Sequence, residues 1–537
     1  MADHRVMAAS RSADLCWGQR YHWLRYQQAP AGSKHEMHIT DSVAFPDGVA
    51  VADLRAAVGY LCRRHEVLRT VYDIDTQPWP RQVVQSQAAL PITFVSTESD
   101  GTPSPAEVVG ELSTRDFDLA GEWPVRVCAI TTGGVVHRVH LVLNHIAVDD
   151  VSLDKFRAEL GAVLAAVTTR ARAALPPVAH QPVDLARHES TQDADAMSYW
   201  RTEIGRLPVD VFAPRRTGTR SPEEAHSASL TSPSLHTVAK DIAARHRVWP
   251  SAVHLAAYAV VTAAYTGAQR TAHQMFTSQR QASGHPAIMT CMSSPSLISL
   301  DLADDPPFSE VLRRATAQVD QALANAHVPY DELLEQLCLE SVRRGSQIRL
   351  GTEFNLLSYA PRTCGARRVR FTWNPAPVDW ARSGVDSYFR IYEWQDGLTV
   401  MLMATADVMD TDAVEKTLRG YDHLLTAHQD PTVDLTVSAA AALMDFTPVV
   451  TRTAQDVPVS APAPEALRAL VVAVGQVNGL PEVRSADSYI AAGGRVLRVP
   501  RLLAELSADG WDGLTIDAVT SFRPLRTLAA ELRPTSR

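Results

Sequence analysis

The stretch that decides the fold is Asn144-His145-Ile146-Ala147-Val148-Asp149-Asp150. An apolar, strand-like run, Val135–Leu143, precedes it, and a helix-like run, Val151–Val167, follows it. The pattern places His145 where a strand ends and a helix begins, a position from which a side chain can face a cleft. Asp149 lies four residues on, near enough to hold the local geometry. An H-x-x-x-D spacing alone is weak in a chain with 19 histidines, so its meaning depends on the rest of the sequence.

Composition indicates a globular protein of several domains. The chain has 537 residues, of which 46% are hydrophobic and 21% charged, and its formal net charge is −9. This charge argues against nucleic acid as the main partner, because phosphate binding needs clustered positive charge. No apolar run approaches the roughly 18 residues that span a bilayer, and Met1–Leu15 lacks the apolar core of a signal peptide. We therefore expect a cytoplasmic enzyme or binding protein without a membrane partner.

The six cysteines form no C-x-x-C pair and lie far apart in the sequence. A zinc site or a disulfide framework needs closer or regularly spaced cysteines. Most of the six are flanked by apolar residues, so we expect buried free thiols.

Hydrophobic periodicity predicts two α/β lobes of comparable size and a helical tail. The first lobe has a helix over Val51–Arg69, a strand over Thr70–Ile74 and a hairpin of Arg126–Thr131 with Val135–Leu143. The second has helices over Ser251–Tyr265, Pro307–Ala324, Tyr330–Glu340 and Asp412–His428, and a strand over Leu398–Ala404. Linker composition marks Ala171–Asp195 and Pro448–Pro464. The predicted units are residues 1–180, 181–447, a linker at 448–464, and 465–537.

Six segments in order resemble motifs of one family, the condensation domains of nonribosomal peptide synthetases. They are Arg64–Thr70 (RHEVLRT), Phe117–Leu119 with Pro124–Arg126 (FDL and PVR), Asn144–Asp150 (aligned with HHxxxDG), Tyr199–Trp200, His327–Leu333 and Phe354–Asn355. The resemblance reaches to about residue 440. It implies an α/β fold in which two chloramphenicol acetyltransferase-like lobes form a V-shaped pseudo-dimer, and a role in antibiotic or other secondary metabolism.

The tail resembles a second family, the peptidyl carrier proteins of the same assembly lines. Asp487–Leu497 aligns with the DxFFxLGGDSL segment of that family. Val496 stands where the family has the serine that takes phosphopantetheine, and valine has no hydroxyl to modify. The resemblance therefore implies a small helical bundle that cannot be loaded.

Within the resemblance, His145 is the expected catalytic residue. A neutral imidazole with a pKa of about 6.5 accepts or relays a proton, and such help is typically worth about 10²–10⁴ in rate. The alternative role is to position the nucleophile and stabilise the zwitterionic intermediate. Asp149 is expected to form a buried ion pair, with Arg69 as the best candidate. A metal site of Asp149 and His145 lacks a convincing third ligand, so no metal is expected.

Two residues of the motif depart from the family. Asn144 replaces the first histidine, and asparagine supplies similar local hydrogen bonds to shape the loop. Asp150 replaces glycine, and three interpretations stay open. Asp150 caps the following helix, or it recognises a cationic or hydroxylated acceptor or raises the pKa of His145, or it marks a site that has lost activity.

Three further predictions concern residues outside the motif. Ser293 and Ser294 lie in a stretch that the resemblance places near the acceptor side of the tunnel, so they are candidates for an acceptor pocket. We expect His254 and His327 to be structural and to lie on helical or loop surfaces.

The resemblance implies a freestanding acyltransferase that forms an amide. Its donor is an acyl or aminoacyl thioester on a partner carrier protein, which supplies the phosphopantetheine arm in trans, and no cofactor is bound covalently. The acceptor is an amine, soluble or bound to a second carrier. One alternative is an ester-forming enzyme with an alcohol acceptor. The other is an inactive platform that recruits partner enzymes to an assembly line.

Overall fold

The computed structural model describes residues 9–75, 80–86, 89–98, 103–190, 196–217, 224–281, 283–359, 362–377, 380, 385–449 and 462–535. Within these residues the chain forms two α/β lobes and a C-terminal module, which is residues 462–535. The predicted linker at 448–464 falls largely outside the described residues.

The N-terminal lobe is built on a four-stranded sheet that carries the His145 segment. Its elements are β1 (Ala9–Asp14), α1 (Trp17–Gln28), β2 (His38–Ala50), α2 (Val51–Arg64), β3 (Thr70–Asp73), β4 (Arg81–Gln85), β5 (Ile92–Ser96), α3 (Pro105–Thr114), β6 (Val125–Thr132), β7 (Val135–Asn144), α4 (Asp150–Thr168) and α5 (Pro182–Glu189). The sheet order is β2-β7-β6-β5, and a three-stranded sheet has the order β1-β4-β3. All pairs are antiparallel except β5 with β6.

The core of this lobe lies between the sheet and helices α2 and α4. Leu54, Val58 and Leu61 recur at helical spacing on α2 and are buried. They belong to the same buried cluster as Leu141 and Leu143 of β7. This packing fixes the end of β7, from which the His145 loop starts.

The C-terminal lobe holds a seven-stranded sheet. Its elements are α6 (Ala196–Ile204), β8 (Ala225–Ser232), α7 (Leu235–His246), α8 (Pro250–Thr266), β9 (Arg270–Ser278), β10 (Ser293–Asp301), α9 (Phe308–Ala324), α10 (Tyr330–Arg344), β11 (Thr352–Ser358), β12 (Arg370–Trp373), β13 (Ser387–Trp394), β14 (Gly397–Thr405), α11 (Thr411–Ala427) and α12 (Val437–Met444). The sheet order is β10-β9-β11-β13-β14-β8-β12.

Helix α8 is the centre of this lobe. Nearly every side chain from Ala252 to Thr266 is buried, as expected for an apolar helix packed on all sides. Pro250 stands at its first turn and Gly267 ends it with φ 70°, which is the left-handed conformation that glycine tolerates at helix ends.

The C-terminal module contains α13 (Pro464–Asn478), α14 (Val499–Ala508), β15 (Trp511–Asp512), α15 (Ile516–Val519), α16 (Leu525–Leu528) and β16 (Arg533–Pro534). Its apolar residues belong to the same buried cluster as those of the C-terminal lobe. The module is therefore packed onto the lobe. No comparison tests its resemblance to carrier proteins, which stays a prediction.

The predicted elements are found with small shifts at their ends. The helix predicted over Val51–Arg69 ends at Arg64 and continues as a 3₁₀ turn, Glu66–Arg69. The predicted linker Ala171–Asp195 contains the eight-residue helix α5, because Pro182 starts a short amphipathic turn whose apolar residues are buried. Among the described residues no single helix is long and apolar enough to cross a membrane, although α7 and α8, bent by 104°, pass that test as a pair.

Candidate active site

Hydrogen bonds at the start of the loop between β7 and α4 hold the backbone around His145. Asn144 donates its backbone N–H to the carbonyl of Pro124 (3.0 Å), and its Oδ1 accepts from the backbone N–H of Ile146 (3.0 Å). This contact agrees with the loop-shaping role predicted for Asn144. The backbone N–H of His145 donates to the carbonyl of Met37 (3.2 Å), so the imidazole is presented from a fixed backbone.

The start of helix α4 is capped by Asp149. Its Oδ1 accepts from the backbone N–H of Ser152 at 2.9 Å, the usual N-cap hydrogen bond. The capping role proposed for Asp150 is therefore wrong, since Asp150 is the first residue of the helix and is exposed. Its charge still lies near the helix N-terminus, where the helix dipole favours an anion.

The predicted ion pair of Asp149 with Arg69 is also wrong. Asp149 pairs with Arg280, whose Nη2 donates to Oδ1 at 2.5 Å, and both side chains are less than 10% exposed. Arg69 instead donates to the carbonyl oxygens of Cys62 and Gln85 and lies 3.8 Å from Glu66. The physical reason is position: the turn that carries Arg69 packs against β4, whereas Arg280 follows β9 and reaches across from the other lobe.

Arg280 organises the junction between the lobes. Its guanidinium donates to the backbone carbonyls of Pro286 (3.0 Å), Ile288 (2.8 Å) and Thr290 (2.8 Å) and to the hydroxyl of Ser152 (2.7 Å). The other oxygen of Asp149 accepts from the backbone N–H of Met292 at 3.0 Å. These hydrogen bonds offset the cost of burying the charge pair, although Nε of Arg280 is buried without a partner, and they also hold the segment that leads into β10.

His145 is contacted by residues of both lobes. Its ring stacks on that of His22 of α1, with centroids 3.9 Å apart and planes 13° apart. Its Nδ1 is 3.6 Å from the Sγ of Cys291, which lies just before β10. Burial lowers the pKa of His145, although the nearby carboxylates of Asp149 and Asp150 oppose this shift. The imidazole is therefore neutral at pH 7, the form that accepts a proton.

His22 and Ser293 extend this cluster. His22 Nε2 is 3.2 Å from the Ser293 hydroxyl, and Cys291 Sγ is 3.5 Å from the same oxygen. Burial, and next the charge of His145, lower the pKa of His22 well below its usual range. Burial raises the pKa of Cys291 to about 12, so this thiol is protonated and is a weak donor rather than a nucleophile.

Only one of the two serines predicted for an acceptor pocket lies in the cluster. Successive side chains of a strand point to opposite faces, and Ser293 of β10 faces His22. Ser294 is buried and pairs with Thr277 of β9. Its side chain therefore faces away from His145.

Asp150 is exposed, and its charge acts on His145. Desolvation by the surrounding protein raises its pKa, and the charge of His145 opposes that shift. Asp149 and Asp154 raise it further, whereas Arg157 lowers it. The carboxylate is thus close enough to His145 for each to shift the pKa of the other.

The metal-binding capacity of the site is limited. Within the described part of the chain, His22, His145 and Cys291 offer donor atoms within 4.8 Å of one another, and nitrogen with thiolate sulfur is a set that zinc accepts. The rings of His22 and His145 are stacked with their planes 13° apart. Their nitrogen lone pairs lie in these nearly parallel planes, so they do not converge on one ion unless one ring rotates. Asp149, considered from the sequence as a ligand, has both oxygens engaged by Arg280, Ser152 and Met292.

The sequence did not indicate that His22 and Arg280 belong to the site. Cys291 was predicted only as a buried free thiol, and it is one. Each carried a weak signal: a histidine within the aromatic helix α1, and an arginine just past the end of an apolar strand. His327 pairs with Glu189 at 3.0 Å, a structural contact as predicted, but its side chain is only 9% exposed, so its predicted surface position is wrong. His254 is structural too, but it is completely buried beside the hydroxyl of Tyr421, so its predicted surface position is wrong.

Val496 lies at the contact between the C-terminal module and the C-terminal lobe. Its side chain is fully buried, and its backbone N–H donates to Glu335 of α10 at 3.0 Å. The neighbouring Arg495 pairs with the same carboxylate at 3.1 Å. The position at which a carrier protein would be modified is therefore covered.

Residues 19–360 match the sequence profile of the family described as the condensation domain. The chain belongs to the condensation-domain family. Such domains transfer acyl groups on nonribosomal peptide and polyketide assembly lines, where they work with carrier proteins.

Among curated relatives, a probable nonribosomal peptide synthetase of Salinispora arenicola is 27% identical over 349 residues, which cover 60% of this chain and 4% of that protein. The phosphinothricin tripeptide synthetase PhsC of Streptomyces viridochromogenes is 24% identical over 336 residues, covering 60% of this chain and 30% of that protein. The chain thus spans less than a third of the length of these relatives.

Among solved structures, the condensation domain of the monacolin K polyketide synthase MokA aligns with a TM-score of 0.62 at 16% identity, over 80% of this chain and 100% of that one. The X-domain in its complex with OxyB from teicoplanin biosynthesis aligns with a TM-score of 0.60 at 21% identity, over 84% and 100% of the two chains. These likenesses confirm the predicted two-lobed α/β fold.

Proposed function

We propose that this chain joins an acyl or aminoacyl group, held as a thioester on a carrier protein, to an amine. The observation that carries the proposal is His145, a neutral imidazole held at the junction of the lobes by the buried pair of Asp149 and Arg280. The amine attacks the thioester carbonyl, the new C–N bond replaces the C–S bond, and the proton that the amine loses ends on the thiol of the departing phosphopantetheine arm. A neutral imidazole at hydrogen-bond reach of that amine accepts the proton or holds the amine in line.

The donor arrives on a carrier protein other than the C-terminal module. Val496 has no hydroxyl to bear phosphopantetheine, and its side chain is buried against the C-terminal lobe. The acyl group therefore reaches His145 on the phosphopantetheine arm of a separate carrier domain or protein. The cytoplasm stays the predicted location.

The experiment combines the purified chain with an acyl-loaded carrier protein and a panel of amines, and follows amide product by mass spectrometry. His145→Ala should lower the rate by about 10²–10⁴ if the imidazole acts as a general base. His140→Ala is the matched control, because His140 lies on the same strand, β7, and outside the cluster around His145. Equal rates for wild type and His145→Ala would refute a catalytic role for His145.

Two other outcomes correspond to the alternatives. An alcohol acceptor that yields an ester, where the matching amine yields nothing, would establish ester formation. Absence of any product, together with stable binding of a partner enzyme, would establish a recruitment platform. The exposed carboxylate of Asp150 beside His145 is the observation that favours testing the platform.

A further inference from the structure

Four side chains at the junction of the lobes form a closed set of contacts that starts and ends at His145. The Nδ1 of His145 is 3.6 Å from the Sγ of Cys291, and this sulfur is 3.5 Å from the Oγ of Ser293. The same oxygen is 3.2 Å from the Nε2 of His22. The ring of His22 stacks on the ring of His145 with centroids 3.9 Å apart, which closes the four-residue cluster.

Three separate parts of the chain supply the cluster. His145 lies on the loop after β7, and His22 lies on α1, both in the N-terminal lobe. Cys291 and Ser293 come from the C-terminal lobe, just before β10 and at its first residue. The backbone between them donates to the carboxylate of Asp149 at 3.0 Å. The contacts of His145 with the second lobe are therefore held in place by the buried ion pair.

Hydrogen-bond capacity allows every contact of the cluster to form at once. Burial raises the pKa of Cys291 to about 12, so its thiol carries a proton at pH 7. A thiol is a weak donor and a weak acceptor, and a hydroxyl oxygen has two lone pairs. Cys291 can therefore donate to Ser293 while its sulfur accepts an N–H from His145. The second lone pair of the Ser293 hydroxyl is left for the Nε2–H of His22.

The backbone beside His145 assigns the proton of its neutral ring to Nδ1. The ring hydrogen-bonds the carbonyl of His145 itself, with a smaller contribution from the carbonyl of Val148. Only Nδ1 is close enough to the backbone of its own residue to donate the first of these bonds. A neutral ring has one N–H, so Nε2 keeps a lone pair that can accept a proton from an amine.

A rotation of the His145 ring would remove this arrangement. A half-turn about the Cβ–Cγ bond exchanges the positions of Nδ1 and a ring carbon, and it takes the ring away from the sulfur of Cys291. The stacked ring of His22, whose plane is 13° from that of His145, lies in the path of such a rotation. The backbone carbonyl of Ser293 accepts a hydrogen bond from the His22 ring, so His22 is held as well.

We propose that His22, Cys291 and Ser293 are positioning residues that hold the imidazole of His145 with Nε2 free to act as a base. They act through His145 and do not have to touch the substrate. The inference rests on the proposed function for the purpose of this orientation, whereas the orientation itself can be measured without a substrate.

The first test determines which nitrogen of His145 carries the proton. Two-bond ¹⁵N–¹H correlation spectra of the full chain with labelled histidine rings distinguish the two neutral forms at pH 7, and His145→Ala identifies the signal. The wild type should show a proton on Nδ1, and Cys291→Ala and His22→Ala should each shift the signal toward a mixture of the two forms. Cys128→Ala is the matched control, because it removes a buried thiol of β6 outside the cluster.

Two spectra would overturn the inference. One is a wild type in which the proton of His145 lies on Nε2. The other is an unchanged Nδ1–H signal in both Cys291→Ala and His22→Ala, which would show that the backbone carbonyls alone hold the ring. Circular dichroism verifies that each variant folds.

The second test measures amide formation in the wild type and in Ser293→Ala. The variant should lower kcat about tenfold, which is less than the 10²–10⁴ expected for loss of the base itself, and should leave KM nearly unchanged. Ser293→Thr keeps the hydroxyl and should retain most of the rate. Ser299→Ala is the matched control, because Ser299 lies on the same strand and its buried hydroxyl has no hydrogen-bond partner among the described residues. A raised KM with unchanged kcat in Ser293→Ala, or an equal loss in Ser299→Ala, would overturn the positioning role.

The two tests separate this inference from the proposed function. A proton on Nδ1 that the variants displace, without amide product from any donor and amine, would refute the proposed function and leave the positioning of His145 standing. Amide formation at the same kcat in the wild type, Cys291→Ala and Ser293→Ala would overturn this inference and leave the proposed function standing.

Discussion

Replacement of Asp149 by alanine tests the central contact of the site. The substitution leaves the guanidinium of Arg280 buried without its counter-charge and removes the cap of α4. A broken buried pair costs about 3–5 kcal/mol, and a lost N-cap costs about 1 kcal/mol. We therefore expect Asp149→Ala to lower the free energy of unfolding by about 4–6 kcal/mol and to lower the condensation rate as well.

The assay is urea-induced unfolding followed by tryptophan fluorescence, with Arg280→Met and the double variant measured alongside. The double variant should be more stable than the sum of the single losses implies, because neither charge is then left alone. Asp149→Asn retains a side-chain oxygen for the cap and should lose less than Asp149→Ala. Asp154→Ala is the matched control on α4, since Asp154 is exposed, and it should leave the unfolding midpoint nearly unchanged.

Two results would refute this reasoning. One is a loss of less than about 1 kcal/mol in Asp149→Ala, which is the value of an exposed pair. The other is strict additivity of the two single substitutions, which would show that Asp149 and Arg280 contribute independently.

Three further predictions concern pH and the C-terminal module. Asp150 opposes the lowering of the pKa of His145, so Asp150→Asn should move the acid limb of the pH–rate profile to lower pH, and an unmoved limb would contradict this coupling. Burial raises the pKa of Glu335 to about 7 from its usual 4.3. The contribution of Glu335 to the free energy of unfolding is therefore present at low pH and is lost as pH rises through about 7. Glu335→Gln should remove this pH dependence and flatten that part of the profile of melting temperature against pH. Val496→Ser should stay unmodified by a phosphopantetheinyl transferase while the module is docked, because position 496 is buried, and a mass increase in the native protein would show that the module undocks.

The sequence predicted those features that local pattern determines. Helix α8 and the hairpin of β6 and β7 follow from hydrophobic periodicity, and the observed bounds differ by one residue at each end or less. His145 could be placed at the strand–helix junction for the same reason. Such elements depend on residues that are close in the chain, whose spacing is visible in the sequence.

The partners of the site residues could not be predicted in the same way. Arg280 lies 131 residues from Asp149, and His22 lies 123 residues before His145. Contacts between residues so far apart in the sequence depend on how the two lobes pack, and the local sequence pattern does not indicate that packing. Arg69, the predicted partner of Asp149, bonds to the carbonyl oxygens of Cys62 and Gln85 instead.

The position of the C-terminal module shows the same limit. The spacing of apolar residues predicts its helices, and the sequence itself has valine in place of serine at position 496. That Val496 is buried against Glu335, and that Thr515–Ala518 line a cavity with Arg25, depends on docking between units. The linker that would restrict this docking falls largely outside the described residues.

The contact between Asp149 and Arg280 also restricts motion. Any hinge movement that parts the lobes beside His145 has to separate this pair and to break the hydrogen bond between Asp149 and the backbone of Met292. The spacing between His145 of one lobe and Cys291 of the other is therefore maintained only while the lobes stay in contact at this point.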